Sequence, residues 1–415
     1  MSMIIYILKS RQLQVIFLLI FLFLLNISIE YSRFLDFKAE DVFETEVEVL
    51  NIYKKQSGDI FKLKASNFEF FINMPKNVED EIKRYDLLNI LILSKNISFL
   101  QYLKGFYTRT IYFDKLDKSE TIKDRIIKNV EKNHKDEKIV ELFNALFLAV
   151  PTSKELIMVF TNYAITHVVA LSGFHLVVLS FVIYWLLYFP YSFFQNIYFP
   201  YRNRRFDILL ITLAILFYYL ILTDIVPSLL RAFVMYCLGI YLLRSNIKIL
   251  SYMTLFYTFL IVIAMYPKYI FSIGFWFSIF AVFYIYLFIQ YFKNYNKWVL
   301  FIFFNIWMFL IFNPIVHYYF PQTSFEQFYS IPITIFFNIF YPFEILAHIF
   351  EVSHYFDEYI KIFLEHKFHV YEVFTPLYFY ILYILVSFFS IFSKKAFWLL
   401  NILMIGFNIY MYLWF

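Results

Sequence analysis

Cysteine is almost missing from this sequence. Cys237 stands alone in an apolar stretch, which excludes an intrachain disulfide framework and every metal motif built on paired thiols. Glycine is nearly as scarce, with 6 residues in 415, and none opens a phosphate loop or a dinucleotide-binding turn. The chain therefore carries no visible nucleotide-driven motor. Charge is scarce too: 16% of the residues are charged against 62% apolar, and the mean hydropathy is +0.65. A soluble domain is about a quarter charged, so these residues cannot cover a water-facing globule of this size. A bilayer is the solvent that fits. The net charge of +5 is too small to imply a nucleic-acid partner by itself. Aromatics abound, with 58 Phe and 37 Tyr. Beside many Ile, Lys and Asn, they read as a coding bias rather than as stacking platforms.

The expected fold is a polytopic α-helical membrane protein of about ten transmembrane helices with a small extracytoplasmic β-rich, OB-like domain. Residues 1–30 form an N-terminal transmembrane helix. Lys9 and Arg11 precede its apolar run, no small-residue cleavage site follows, and the basic flank puts the N-terminus in the cytoplasm. Residues 31–118 change texture. Residues 42–49 alternate with period 2, Gly58-Asp59 makes a turn, and 60–64, 68–72 and 87–93 read as further strands. That is the size of an OB-type barrel. Lys and Arg balance Asp and Glu within it at 14 each, so an electrostatic DNA groove is not evident there. Residues 119–162 hold amphipathic, interfacial helices, with Ile122, Ile126 and Val130 at four-residue spacing.

Nine further apolar spans follow, at 163–189, 206–222, 225–243, 250–266, 270–292, 298–312, 331–350, 373–392 and 396–415. Residues 163–350 are the expected transmembrane core. Residues 351–415 are a juxtamembrane segment with the C-terminal helices. The positive-inside rule gathers Arg202, Arg204 and Arg205, Arg244 and Lys248, Lys293 and Lys297, and Lys361 and Lys367 on the cytoplasmic side. Lys394 and Lys395 then fall opposite and break the rule, and both termini come out cytoplasmic.

Three segments set polar or helix-breaking residues inside apolar spans, where such groups are costly and normally face a bundle interior or water. They are 166–175 with Ser172, Gly173 and His175; 226–231 with Pro227, Ser228 and Arg231; and 266–280 with Gly274, Trp276 and Ser278. Arg231 is the most informative, since an arginine at a helix centre costs about 2.5–3.5 kcal/mol on insertion scales. It calls for a water-filled path, an ion-pair partner or an anionic substrate, unless it snorkels to an interface. Asp224 is a candidate partner.

The run Ala170-Leu171-Ser172-Gly173-Phe174-His175 resembles the Ala-Ile-Ser-Gly-Leu-His signature of the ComEC competence proteins. Pro227-Ser228-Leu229-Leu230-Arg231-Ala232 is similar to that family's Pro-Ser-Val-Leu-Arg-Ala segment. Tyr266-Pro267 with Gly274-Phe275-Trp276-Phe277-Ser278-Ile279-Phe280 follows its Asp-Pro and Gly-Phe-Gln-Leu-Ser-Phe block, with Trp276 at the family's Gln position. Asn338 with Pro342 is loosely like a later Asn–Pro element. The resemblance spans about 142–347. It implies a channel importing single-stranded DNA through the bacterial cytoplasmic (inner) membrane in natural transformation. Ser172, Gly173, His175, Pro227, Ser228, Arg231 and Ser278 would line the DNA path. The partners implied are single-stranded DNA, membrane lipid, a periplasmic DNA receptor and cytoplasmic DNA-translocating or DNA-binding proteins; a homo-oligomer stays open. No cofactor is expected. No His-x-His-x-Asp-His motif occurs, so the metallo-β-lactamase-like nuclease domain of longer members is expected to be lacking, and the chain is not expected to be an enzyme.

Rival readings stand beside this one. A small-solute transporter or flippase also uses broken helices with intramembrane polar groups. Ser172 and His175 evoke an intramembrane serine protease, although three residues apart on one helix they lack an evident oxyanion hole. His348, Glu351, His354 and Glu358 recur at three- and four-residue steps, as metal ligands or as a solvated helix face.

Overall fold

The computed structural model describes residues 2–53, 58–74, 82–117, 119–243 and 251–413. The expected loop charges Arg244 and Lys248 lie outside them. The first helix, α1 (Ser2–Phe37), has an apolar stretch, Leu13–Phe37, whose most hydrophobic window shows no buried residue. Lipid is the environment that such a surface fits.

The helix runs straight into a curled sheet of β1 (Val42–Tyr53), β2 (Asp59–Lys64), β3 (Glu69–Met74), β4 (Leu87–Leu93), β5 (Phe106–Thr108) and β6 (Thr110–Leu116), with α2 (Phe99–Lys104) between β4 and β5. The strand order is β5-β3-β2-β1-β4-β6. Only β3 and β5 are parallel, pairing Phe70 with Phe106. Arg109 alone separates β5 from β6, yet these two strands hold opposite edges of the sheet. One chain passage thus joins both edges. The alternation seen in sequence is the inside–outside alternation of the strands: Phe61 and Leu63, Phe70 and Ile72, Leu88, Ile90 and Ile92 all point inward. Burying each such side chain contributes about 1.5–3 kcal/mol. Phe34 and Phe37 at the end of α1 pack with Tyr102 of α2 in the same core, so helix and sheet share it. Gly105 turns the chain into β5 at φ 92, with the Glu69 carbonyl 3.3 Å from where a Cβ would stand, a conformation side-chain-bearing residues seldom adopt.

A layer of short helices follows: α3 (Ile122–Asn133), α4 (Glu137–Leu148), α5 (Lys154–Asn162) and α6 (Thr166–Val169). Thr121 and Asp124 form a capping box, and Asp136 and Ser153 cap the next two helices. The layer is tied to the β domain by Arg84 with Glu141 at 2.5 Å and by Asn51 Nδ2 donating to the Thr152 carbonyl at 2.9 Å.

The bundle consists of α7 (Gly173–Tyr198), α8 (Arg204–Leu222), α9 (Pro227–Leu243), α10 (Tyr252–Met265), α11 (Ile273–Phe292), α12 (Lys297–Tyr319), α13 (Ser330–Ile349), α14 (Asp357–Leu364), α15 (Leu377–Phe389) and α16 (Lys394–Leu413), with a two-stranded ladder of β7 (Gln322–Thr323) and β8 (Tyr371–Glu372). Each expected span holds a helix. Among the described residues seven helices, α1 included, are long and apolar enough to cross a membrane, and α9, α10 and α15 are shorter apolar helices.

The structure departs from expectation at α13. Its first residue, Ser330, donates to the Ala164 carbonyl at 3.0 Å, and near its last turn His348 meets His134 at 3.0 Å. Both ends therefore touch the α3–α6 layer, beside the β domain. Helix α14 then runs back: Asp357 reaches His134, while Phe363 stacks on Tyr163 at 4.3 Å. The chain regains its starting point where β8 pairs with β7. Helices α13 and α14 leave and re-enter at one end of the bundle. Lys361 consequently approaches Asp136 at 3.9 Å, on the β-domain side, and not the side of Arg202 as the charge count placed it. Beyond it, α15 descends to the end of α11, where Gln290 donates to the Ile391 carbonyl at 3.0 Å. The turn before Lys394 and Lys395 thereby joins the end that carries Lys293 and Lys297. Helix α16 returns, and Tyr412 reaches Gln327 at 3.0 Å.

Candidate functional site

The three polar segments, scattered over a hundred residues, converge. The chain breaks between α6 and α7 at 170–172, and α7 begins at Gly173. The Ser172 backbone N–H donates to His175 Nδ1 at 3.1 Å, and the Ser172 hydroxyl lies 3.0 Å from the same nitrogen. A nitrogen that accepts from a backbone N–H carries no hydrogen, so in the neutral ring the proton sits on Nε2. His175 is fully buried, and among the described residues no acid or other side chain answers that Nε2. Its ring is boxed by Phe337 at 5.4 Å and Tyr341 at 4.6 Å, both from α13.

Helix α9 starts opposite the break. Pro227 at its first position needs no N–H partner, and Ser228 next to it donates to the Leu171 carbonyl at 2.6 Å, which the break leaves free. One turn on, Arg231 is buried at 6% exposure. Its Nε donates to Ser278 of α11 at 2.6 Å, and Nη1 lies 3.1 Å from the Met235 sulfur. A Cβ on Gly173 would stand 2.7 Å from Nη2 of Arg231 and 3.1 Å from Ala232 Cβ. The glycine is what lets the guanidinium lie against the start of α7. The first N–H groups of that helix, with the positive end of its dipole, face the same place.

Among the described residues no carboxylate stands within ion-pair distance of Arg231. Asp224 binds Lys64 at 2.6 Å and Lys123 at 2.5 Å instead. The guanidinium is not snorkelling, since burial and the bond to Ser278 hold it inside. A cation so placed costs several kcal/mol in desolvation. Trp276 has turned away, with its indole N–H on the Ile270 carbonyl at 2.8 Å. Asn338 is likewise satisfied by the Thr334 carbonyl at 2.9 Å. Among the described residues His348, Glu351, His354 and Glu358 form no metal cluster: only His348 lies on α13 and Glu358 is on α14, while between them Glu351 pairs with Lys132 at 3.2 Å and His354 lies against Tyr355. Phe337 and Tyr341 escaped the sequence reading: in so aromatic a chain, two more aromatics carry no signal, and they lie more than 160 residues from His175.

Fold and site together define a polytopic membrane protein whose bundle buries an unpaired guanidinium beside a helix break. A family model described as competence protein matches residues 151–415, more than half of the chain, and the chain belongs to that family. No curated protein and no solved structure matches it.

Proposed function

We propose that this chain is the channel that imports single-stranded DNA across the cytoplasmic membrane during natural transformation. The observation that carries the reading is a buried cation and a buried N–H donor, Arg231 and His175, neither answered by an acid, at the start of α7. A phosphodiester backbone is the polyanion that would answer them, by charge-assisted hydrogen bonds. Moving a bare phosphate into a low-dielectric medium costs tens of kcal/mol, and a row of donors removes that cost. Ser172, Ser228 and Ser278 supply hydroxyls, Gly173 supplies close approach, and Pro227 sets the start of α9. In this reading passage requires α7, α9 and α13 to separate.

In this reading α1, α7–α12, α15 and α16 cross the membrane, and α13–α14 form a re-entrant hairpin. The N-terminus is cytoplasmic. The β domain is an extracytoplasmic OB-like barrel, closed by the bent β5–β6 passage. The units in this reading are α1, which runs to Phe37 rather than to residue 30, the β domain, the interfacial layer, which extends through α6 rather than to 162, and the bundle from α7 on. A periplasmic receptor hands over the DNA, and cytoplasmic DNA-binding or translocating proteins draw it in.

The test follows fluorescent DNA in competent cells lacking this gene, complemented with the wild-type chain or with Arg231→Ala at equal membrane abundance. The expected result is DNA held in the envelope and transformation down at least 100-fold with the variant, the loss of about 3 kcal/mol that an unanswered phosphate contact brings. Normal cytoplasmic entry in cells lacking the gene would overturn the proposal and leave a small-solute transporter or flippase as the working reading.

A further inference from the structure

Outside the DNA path lies a second cluster of titratable groups, at the tip of the α13–α14 hairpin. His134, the C-cap of α3, is 3% exposed, and His348 of α13 is 6% exposed. His134 Nδ1 lies 2.7 Å from the Asp357 carboxylate. His348 Nδ1 lies 2.8 Å from the Glu344 carbonyl oxygen. The two Nε2 atoms face each other at 3.0 Å.

Three contacts require three hydrogens. The Glu344 carbonyl only accepts, so His348 Nδ1 carries one. The hydrogen between His134 and Asp357 is the second. Two neutral imidazoles have then used both of their N–H groups, and each Nε2 presents a lone pair to the other. At 3.0 Å two lone pairs repel, and a third hydrogen turns the contact into N–H···N. We infer that His134 and His348 form a buried proton-binding site, in which one proton shared between the two Nε2 atoms clamps α3 to α13.

The surroundings suit a single added positive charge. Asp357 provides one negative charge. Glu344, 1% exposed, has its Oε2 3.5 Å from His348 Nδ1, and neither of its oxygens has a hydrogen-bond partner. Phe143 of α4 stacks on His134 at 4.7 Å and meets His348 edge-on at 4.6 Å, and Phe147 meets His348 at 4.8 Å. Aromatic faces favour an imidazolium as they favour other cations. Two ion pairs flank the junction: Lys132 with Glu351 at 3.2 Å, and Lys361 with Asp136 at 3.9 Å. A second proton on the pair would set two cations in contact and is disfavoured. Ser353 Oγ, 3.2 Å from His134 Nε2, is the donor that remains when the shared proton leaves.

Burial pushes the His134 imidazole below its ordinary value, while the hydrogen bond and charge of Asp357 oppose it. The transition therefore falls on the acid side of an ordinary histidine. Its sign is fixed: the clamp is closed when the proton is held and is lost as the pH rises through the transition.

The experiment is nitrogen-15 NMR of the histidines in the full chain in lipid nanodiscs, from about pH 4 to pH 8, with signals assigned by His134→Gln and His348→Gln. One transition shared by the two rings is expected, releasing one proton and turning both Nε2 signals into the unprotonated type at high pH. Ser353→Ala is expected to shift this transition to higher pH, because the deprotonated state loses its alternative donor. This conservative variant also serves if a histidine variant fails to fold. Two independent one-proton transitions, Nε2 signals of unprotonated type throughout, or signals that move with a chelator or added zinc would each overturn the proposal.

Discussion

Arg231 sets the energetics of the site at the scale of one residue. A buried cation with hydroxyl and thioether neighbours but no acid is a cost to folding, and it persists only where function needs it. Replacing a buried ionic group by an apolar one of similar volume is often neutral or stabilising, by about 1–4 kcal/mol. Arg231→Met is therefore expected to fold, to resist thermal unfolding in detergent at least as well as the wild type, and to lose DNA import. A variant that unfolds at clearly lower temperature would show that the guanidinium serves structure. The same residue shows what was legible beforehand. Arg231, Ser172, Gly173 and His175 stand out in the sequence because each is out of place in an apolar run. Their meeting was not legible, because no local pattern records that the Ser228 hydroxyl reaches the Leu171 carbonyl across 57 residues. Nor was the isolation of Arg231. Asp224 looked like its partner by sequence proximity, but Asp224 sits before Pro227 at φ 58, turned out of the helix toward two lysines.

Those two lysines belong to other elements, and their meeting with Asp224 is a joint between elements. Lys64 lies on β2 and Lys123 on α3, while Asp224 precedes α9, the helix that carries Arg231. Asp224 and Ile225 both hold positive φ, 58 and 54. That is uncommon for any side-chain-bearing residue and strained for a β-branched one. The Ile225 carbonyl is held by the Tyr269 hydroxyl. The β domain and the interfacial layer thus grip the strained turn that launches the site helix. Burial works to raise the Asp224 carboxyl, but the hydrogen bonds and charges of Lys123 and Lys64 outweigh it and hold the group below the ordinary aspartate range. A depressed carboxyl contributes stability that is present above its unfolded value and lost as the pH falls through the folded one. The joint should therefore stay closed at about pH 5 and loosen only in stronger acid, below the usual aspartate value near 3.9. Hydrogen exchange of β2 and α3 checks this: slow at about pH 5 in the wild type, faster in Asp224→Asn there, with the difference closing in acid strong enough to protonate Asp224. Equal exchange in both would mean the ion triad is solvated and adds nothing, as many exposed pairs do. Among the elements, the strands were legible through their period of 2. Their order in the sheet was not, since β5 and β6 pair at opposite edges with residues 18 to 36 positions away.

Across the whole molecule, direction was harder to read than length. Helix α13 has the hydropathy of a membrane span, and hydropathy counts apolar residues without recording where the ends go. Its ends are fixed by single polar groups: Ser330 on Ala164 and His348 on His134, both in the layer beside the β domain. Counting α13 as a crossing inverts everything after it, which is why Lys394 and Lys395 seemed to violate the positive-inside rule. With α13–α14 as a hairpin that returns to its own side, the pair joins Arg202, Arg204, Lys293 and Lys297 at one end of the bundle. The charge rule, which applies to short loops, then holds for the described turns between bundle helices except at Lys268 and at the hairpin's own Lys361 and Lys367, and Lys361 stands near Asp136 and Glu365, each at 3.9 Å. In that reading α16 ends on the opposite side of the membrane from the start of α1. Single cysteines at Lys395 and Lys361, in a Cys237→Ser background, test it with a membrane-impermeant maleimide on intact spheroplasts. Cys at 361 should label and Cys at 395 should label only after the membrane is broken. The reverse pattern would place α13 across the bilayer and restore a chain with both ends in the cytoplasm, and labelling of both from outside would keep the hairpin but show that α15 does not cross.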